Sequence, residues 1–510
     1  MKINPLLKVL SVVIGFAMVF RCAALGVEKP NVLLICVDDL KPLLGCYGDT
    51  RIQSPNLDKL AARGLLFERA YCNQAVCAPS RNALLTGSRS TTLGIYDLGT
   101  NFRLSIPDAT TLPQYFMQHG YRTEAMGKIF NVGHGNHEDP ASWSVPHFSA
   151  KSVAYALPVS RAKRGLTKEE ALFSNESNKG LPRGAAYESA DVPDNAYPDG
   201  VLADEAIRRL QSAKAKPTEP FFMAVGFLKP HLPFCAPKKY WDLYDRATFT
   251  LPELRSPPEG APKYAPSTWG ELRQYSDIPE TGPLTDDQAR TMIHGYHAAV
   301  SFVDAQIGKV MDELERLGLA KNTIVVLWGD HGWHLGDHGL WCKHTNYEQA
   351  THIPLIIIAP GVTKPGTRTQ SLAESVDLYP TLCELAGLPQ PKPAQKLDGN
   401  SLVAVLGDPA HASKEAIFHA YPRNRQPEGA ILGRAVRTER YRLVEWKKPG
   451  AANETAEFEL YDYQTDPLET KNLASEQPEV VAKLRALLAK EPEAKPQIPA
   501  VKKTNIPPSE

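Results

Sequence analysis

The sequence predicts an α/β fold with a largely parallel, doubly wound sheet, followed by a smaller α+β part with a short antiparallel sheet. Three observations carry this. Short runs that read as buried strands recur along the chain: NVLLICV (31–37), YRTEAM (121–126), FFMAVGF (221–227), TIVVLW (323–328) and PLIIIA (354–359). Helical patterns separate them, which is the alternation expected of a parallel sheet with helices on both faces. Towards the C-terminus RAVRTERYRLVEW (434–446) alternates in character instead, and 459–474 leads into a helix near 477–490.

Taken in order, NLDKLAARG (56–64) reads as a helix stopped by glycine, and LLTG (84–87) opens another. DGVLADEAIRRLQSA (199–213) starts on an aspartate suited to capping. The longest helix runs from about Thr285 to Leu317, with Met292, Tyr296, Val300, Val303, Ile307, Val310, Met311 and Leu314 at three-or-four spacing. Proline-rich stretches at 251–266 and 388–395 read as irregular. This divides the chain into a catalytic domain over 27–424, a C-terminal subdomain over 425–492 and a loose tail over 493–510.

Residues 1–26 differ from the rest. Lys2 and Lys8 precede an apolar core, VLSVVIGFAMVF (9–20), and small residues follow in CAALG (22–26), the pattern of a cleaved signal peptide. Arg21 ends the run below spanning length, so a periplasmic or secreted protein is expected, with no stable membrane anchor. Charge is balanced at 57 basic and 57 acidic residues in 510, which argues against nucleic acid as a partner.

Eight cysteines are scattered with no CxxC pair, so neither a disulfide scaffold nor a zinc site is indicated. Discounting Cys22, an odd number remains in an export-bound chain, and Cys77 in CAPSRNALLTG (77–87) stands out. It reads as half of a disulfide, a small buried apolar residue or a reactive centre. If a helix starts there, Arg81 lies one turn along and reaches back towards it.

In open parallel sheets the working groups gather at the carboxyl ends of strands. Here DDL follows the first strand, GKIF the second, LKPH the third and GDHGWH the fourth. Adjacent Asp38 and Asp39 repel one another unless a cation holds them, and Asp330 with His331 repeats that chemistry. Oxygen-rich ligation suggests Ca²⁺ or Mg²⁺ rather than zinc. Lys128, His231 and Lys343 supply cations that suit a tetrahedral oxyanion and a leaving group. Metal, cations and one nucleophile together describe sulfuryl or phosphoryl transfer.

CAPSRNALLTG resembles the signature of the type I sulfatases, Cys-x-Pro-Ser-Arg followed by Leu-Thr-Gly. The resemblance runs through VDDLKPLLGCYGD (37–49), QAVCAPSR (74–81), GKIF (127–130), KPHLPF (229–234), DHGWHLGDHGLWCKHTNYE (330–348) and ELYDYQTDPLETKNL (459–473), and is nearest to the iduronate-2-sulfatase branch. It implies an alkaline-phosphatase-like α/β sandwich with a smaller C-terminal domain, acting on sulfated carbohydrates such as 2-O-sulfated uronates. It also implies that a formylglycine-generating or other sulfatase-maturating enzyme converts Cys77 to formylglycine. One hydroxyl of the aldehyde hydrate would attack sulfur; the second would lose its proton as the aldehyde reforms and sulfate leaves.

Carried over by position, the resemblance implies Ca²⁺ ligands at Asp38, Asp39, Asp330, His331 and modified Cys77. It places Arg81 on the hydrate, Lys128 and Lys343 on sulfate oxygens, and His231 at the departing sugar alcohol. One position departs. The branch carries a histidine three residues after the lysine, where this chain has Asn131, and His134 is the candidate to release sulfate in its place. Two other readings stand beside this one: a phosphate or phosphonate ester hydrolase, and a carbohydrate-binding protein that has lost activity.

Overall fold

The computed structural model describes residues 29–131, 133–134, 136–150, 155–161, 166–173, 179–425 and 429–499. The expected signal peptide and the end of the expected tail lie outside the described residues. At the centre is an eight-stranded sheet. Its strands are Asn31–Val37 (β1), Leu65–Tyr71 (β2), Arg122–Gly127 (β3), Phe221–Phe227 (β4), Thr323–Gly329 (β5), His352–Ile358 (β6), Thr367–Thr369 (β7) and Ala373–Glu374 (β8). The order is β7-β2-β6-β5-β1-β4-β3, with β8 pairing on β2.

β5, β1, β4 and β3 run parallel to one another. β6 alone runs antiparallel, to both β2 and β5, so the expectation of a largely parallel sheet holds with one reversed strand. β2 escapes the sequence reading because Glu68 and Arg69 interrupt its apolar run LLFERAY. Since β6 is reversed twice over, β2 points the same way as β5, and its carboxyl end also reaches the working edge.

The strands are apolar on both sides because both sides are covered. Leu33, Ile35 and Val37 of β1 join one core with the helices Pro198–Lys214 and Asp286–Arg316, while Val32, Leu34 and Cys36 join the other. The helices labelled here are Pro55–Ala61 (α1), Cys77–Thr86 (α2), Pro198–Lys214 (α3), Asp286–Arg316 (α4), Leu378–Leu385 (α5) and Pro478–Leu488 (α6). Helix α4 starts at a Thr285–Gln288 capping box and buries the predicted stripe. LLTG closes a helix rather than opening one: α2 begins at Cys77, and Gly87 at φ 68° caps its end.

The C-terminal sheet has strands Ala416–Arg425 (β9), Gly429–Thr438 (β10), Tyr441–Lys447 (β11) and Glu457–Asp462 (β12), all antiparallel. Val436, Leu443 and Leu460 pack against Val481, Leu484 and Leu488 of α6. The expected division at 424/425 falls inside β9, because the sheet already starts at Ala416. Residues 495–498 do not hang loose either. Lys495 and Ile498 donate backbone N–H groups to the carbonyls of Thr91 (2.9 Å) and Gly94 (2.8 Å), binding this stretch to the segment 90–94.

Two glycines set the spacing at the working edge. A Cβ on Gly226 would sit 2.1 Å from the Lys128 carbonyl oxygen, and one on Gly127 (φ 73°) 2.1 Å from the Gly226 carbonyl oxygen. Only bare backbones pass this closely. Gly226→Ala is expected to force the ends of β3 and β4 apart, costing about 1–3 kcal/mol and displacing Lys128. Urea denaturation of the variant beside the native chain checks the loss of stability.

Candidate active site

The carboxyl ends of five strands deliver the site. Asp38 and Asp39 follow β1, Cys77 comes six residues beyond the end of β2 at the first turn of α2, Lys128 follows β3, His231 follows β4, and Asp330 and His331 follow β5. Lys343 follows a two-residue hairpin, His334–Leu335 paired with Trp341–Cys342. All these side chains are buried, and Asp39, Arg81, Asp330 and His331 have no exposed surface.

Arg81 holds three strand ends at once. Its Nε donates to Asp330 Oδ2 (2.9 Å), Nη2 to Asp38 Oδ1 (3.1 Å) and Nη1 to the Lys128 carbonyl. Lys128 Nζ donates to Asp38 Oδ2 at 2.6 Å and lies 3.4 Å from Cys77 Sγ. His331 Nε2 is 3.4 Å from the same sulfur and 3.2 Å from Asp39 Oδ1. Asp39 sits at φ 59°, a left-handed turn that aspartate tolerates. Tyr296 of α4 clamps it, donating its hydroxyl to the Asp39 carbonyl (2.9 Å) and accepting from the Lys41 N–H (3.0 Å).

Three buried carboxylates therefore converge on Cys77. Ligand atoms of Asp38, Asp39, Cys77 and His231 lie within 4.8 Å of one another, as do those of Asp38, Cys77, Asp330 and His331. Burial opposes ionisation of Asp38, but Lys128, His231 and Arg81 outweigh it and hold its carboxyl well below the usual range. For Asp330 burial wins: together with the Asp38 charge it raises the carboxyl despite His331 and Arg81. A divalent cation among these oxygens would relieve that crowding, so the donor set fits one.

Two family models match the chain: Sulfatase over residues 30–388, and N-sulphoglucosamine sulphohydrolase, C-terminal, over 336–494. The chain belongs to the sulfatase family. It is a sulfuric ester hydrolase, 35% identical to the iduronate 2-sulfatase of Homo sapiens over 90% of this chain and 95% of that one. Its fold matches a solved structure of a protein bound to its substrate D-glucosamine-2-N,6-O-disulfate, with TM-score 0.70 and 23% identity over 91% of this chain and 97% of that one. It also matches the phosphonate monoester hydrolase of Silicibacter pomeroyi, with TM-score 0.68 and 24% identity over 91% and 94%.

The sulfatase's site contains one charged group that the sequence reading passed over, Glu271. Its Oε1 lies 3.0 Å from His231 Nε2 and 2.9 Å from Lys343 Nζ, and its Oε2 lies 2.8 Å from Lys343 Nζ. Lys343 Nζ also reaches Asp39 at 3.1 Å. The available signal was the i, i+3, i+6 spacing of Trp269, Leu272 and Tyr275 within an otherwise irregular stretch; all three are buried and anchor the segment. Lys229, part of the same LKPH run as His231, serves the backbone instead: its Nζ donates to the carbonyls of His231 (2.8 Å) and Pro233 (2.6 Å).

His134 lies half-buried on a left-handed turn (φ 54°), within the electrostatic reach of Lys128, Glu271, His231 and Lys343. Burial, then Lys128, brings its pKa down to about 4, so it is neutral near pH 7. Asn131 is buried, and its Nδ2 has no hydrogen-bond partner among the described residues. All seven described cysteines are free thiols.

Removing Arg81 would take a buried partner from both Asp330 and Asp38, leaving Asp38 with Lys128 at 2.6 Å. Arg81→Ala is expected to abolish measurable turnover and to destabilise the fold by about 3–5 kcal/mol. Arg81→Lys, which keeps the charge but not the fork, is expected to recover stability ahead of activity. Denaturant titration set beside sulfate release separates the two effects.

Proposed function

We propose that this sulfatase is exported and hydrolyses sulfate esters of sulfated saccharides, with 2-O-sulfated uronates as the substrate class, using formylglycine at position 77 and a bound Ca²⁺. The observation that carries the chemistry is Cys77, seated 3.4 Å from both Lys128 Nζ and His331 Nε2 among three buried carboxylates. The substrate class rests on the 35% identity, over almost the full length of both chains, to a protein named for iduronate 2-sulfate. Export rests on the leader pattern in residues 1–26. No helix among the described residues is long and apolar enough to cross a membrane.

A thiolate nucleophile needs a lowered pKa. Here burial, with Asp38, pushes the Cys77 thiol up against the pull of Lys128 and Lys343. That argues against an ordinary cysteine nucleophile and for a modified side chain. Formylglycine would supply a hydrated aldehyde whose oxygen attacks sulfur and whose collapse releases sulfate without a second water. With Cys77 only 3% exposed, a sulfatase-maturating enzyme must reach it in the unfolded chain. Asp38, Asp39, Asp330, His331 and the residue-77 oxygen would hold Ca²⁺, which neutralises their charge and polarises oxygens beside it.

The remaining roles belong to the chain's own side chains. Lys128 and Lys343 hold the sulfate oxygens from two sides. His231 donates its Nδ1 proton to the Leu232 carbonyl (2.5 Å), which leaves Nε2 to protonate the departing sugar alcohol. Arg81 fixes the first turn of α2 and with it residue 77. His134, uncharged and at the rim, takes the proton given up as sulfate leaves, the role for which Asn131 has no basic nitrogen.

Three measurements test this. The tryptic peptide bearing residue 77 is expected to weigh about 18 Da less than the cysteine form, and active enzyme holding only intact thiol would overturn the mechanism. Chelation is expected to lower the thermal midpoint as well as the rate, with Ca²⁺ restoring both better than Mg²⁺. Turnover of an aryl sulfate is expected to exceed that of the matching aryl phosphate; the reverse order would favour a phosphate or phosphonate ester hydrolase.

A further inference from the structure

The charged groups around Cys77 are almost wholly enclosed, and exposure rises at Glu271 and at His344 beside it (23%). The Glu271 side chain retains 16% of its surface, against 8% for His231 and 2% for Lys343. Its backbone is held in place. Trp269 (7% exposed), Leu272 (1%) and Tyr275 (0%) are buried on either side of it, and the Arg273 guanidinium lies 3.6 Å over the Trp269 ring.

The carboxylate is divided between two tasks. Oε1 faces both His231 and Lys343, which carry the leaving group and the sulfate in the mechanism above. Oε2 faces Lys343, with His344 Nε2 at 3.9 Å. A carboxylate oxygen accepts two hydrogen bonds, so Oε2 keeps acceptor capacity. Paired with two cations, Glu271 stays ionised although burial opposes it. A fixed anion there attracts a donor and repels a second anion.

We propose that Glu271 is a specificity-determining residue, whose carboxylate accepts a hydrogen bond from a free hydroxyl next to the sulfate ester on the sugar. This rests on the saccharide reading above and narrows it: the ester's neighbour is a hydroxyl donor, and the uronate carboxylate lies elsewhere. A hydrogen bond to a charged acceptor discriminates strongly, because the analogue without the hydroxyl leaves a buried acceptor unfilled.

The test compares sulfate release from the methyl glycoside of a 2-O-sulfated hexuronic acid with release from its 3-deoxy analogue. The wild-type enzyme is expected to favour the hydroxylated substrate by about 10–100-fold in kcat/KM. Glu271→Ala is expected to bring that ratio close to one, and Glu271→Gln, which keeps an uncharged acceptor of the same shape, to an intermediate value. The ratio is the readout, because loss of absolute rate through Lys343 and His231 affects both substrates alike. An unchanged ratio in both variants, or no preference in the wild-type enzyme, overturns the assignment. Turnover of an aryl sulfate with no release from either glycoside overturns the saccharide reading itself.

Discussion

Everything at the working edge of this sulfatase depends on one buried guanidinium. Arg81 reaches from the second turn of α2 to Asp38 after β1, to Asp330 after β5 and to the Lys128 carbonyl after β3. An isolated charge at that depth would cost many kcal/mol, so the arrangement persists only because the fork and its acceptors satisfy one another. The same contacts set the height of α2 above the sheet, and hence where residue 77 sits relative to the carboxylates. Guanidinium suits this place because its donors point in fixed directions towards different strands, which an ammonium group does not offer.

The rest of the fold supplies stiffness to that arrangement from outside. Helix α4 clamps the left-handed Asp39 turn through Tyr296, and α3 places Asp199 to accept the N–H groups of Leu228 and Lys229 at 2.8 Å, shaping the turn that presents His231. The C-terminal sheet holds the segment after Lys343. Asn346 Nδ2 donates to the Gly433 carbonyl (3.1 Å), Tyr347 donates to Glu459 (3.1 Å), and the buried Arg442 pairs with Glu348 (2.6 Å) and Glu469 (2.5 Å). The C-terminal sheet thus braces the segment that follows one of the two lysines of the candidate site.

Much of the site was legible beforehand, for a reason tied to topology. Parallel strands send their carboxyl ends to one edge, so ionisable groups just after several strands converge without any knowledge of distances. Asp38, Lys128, His231 and Asp330 follow that rule and are found together. Glu271 does not: it comes from an irregular stretch whose course no periodicity describes, and only the burial of Trp269, Leu272 and Tyr275 brings it to the site. β2 was missed because Glu68 and Arg69 break its apolar run; it is a strand because β6 and β7 flank it, and pairing on both sides overrides local composition.

The amino-acid order alone determined the strand–helix alternation, the cysteine–arginine spacing along α2 and the identity of the groups that meet at the sheet edge. These depend on local periodicity and on handed connections, which are written along the chain. The tertiary structure decided the rest: that β6 runs backwards, that residues 495–498 bind the short helix after Arg89, and that Glu271 joins His231 and Lys343. Each of these depends on contacts between residues far apart in sequence, whose free energy arises only when the chain is folded. For CAPSR the division is sharp. Its spacing marks Cys77 as a centre, and only the fold shows that the thiol is buried among three carboxylates, where burial pushes its pKa up.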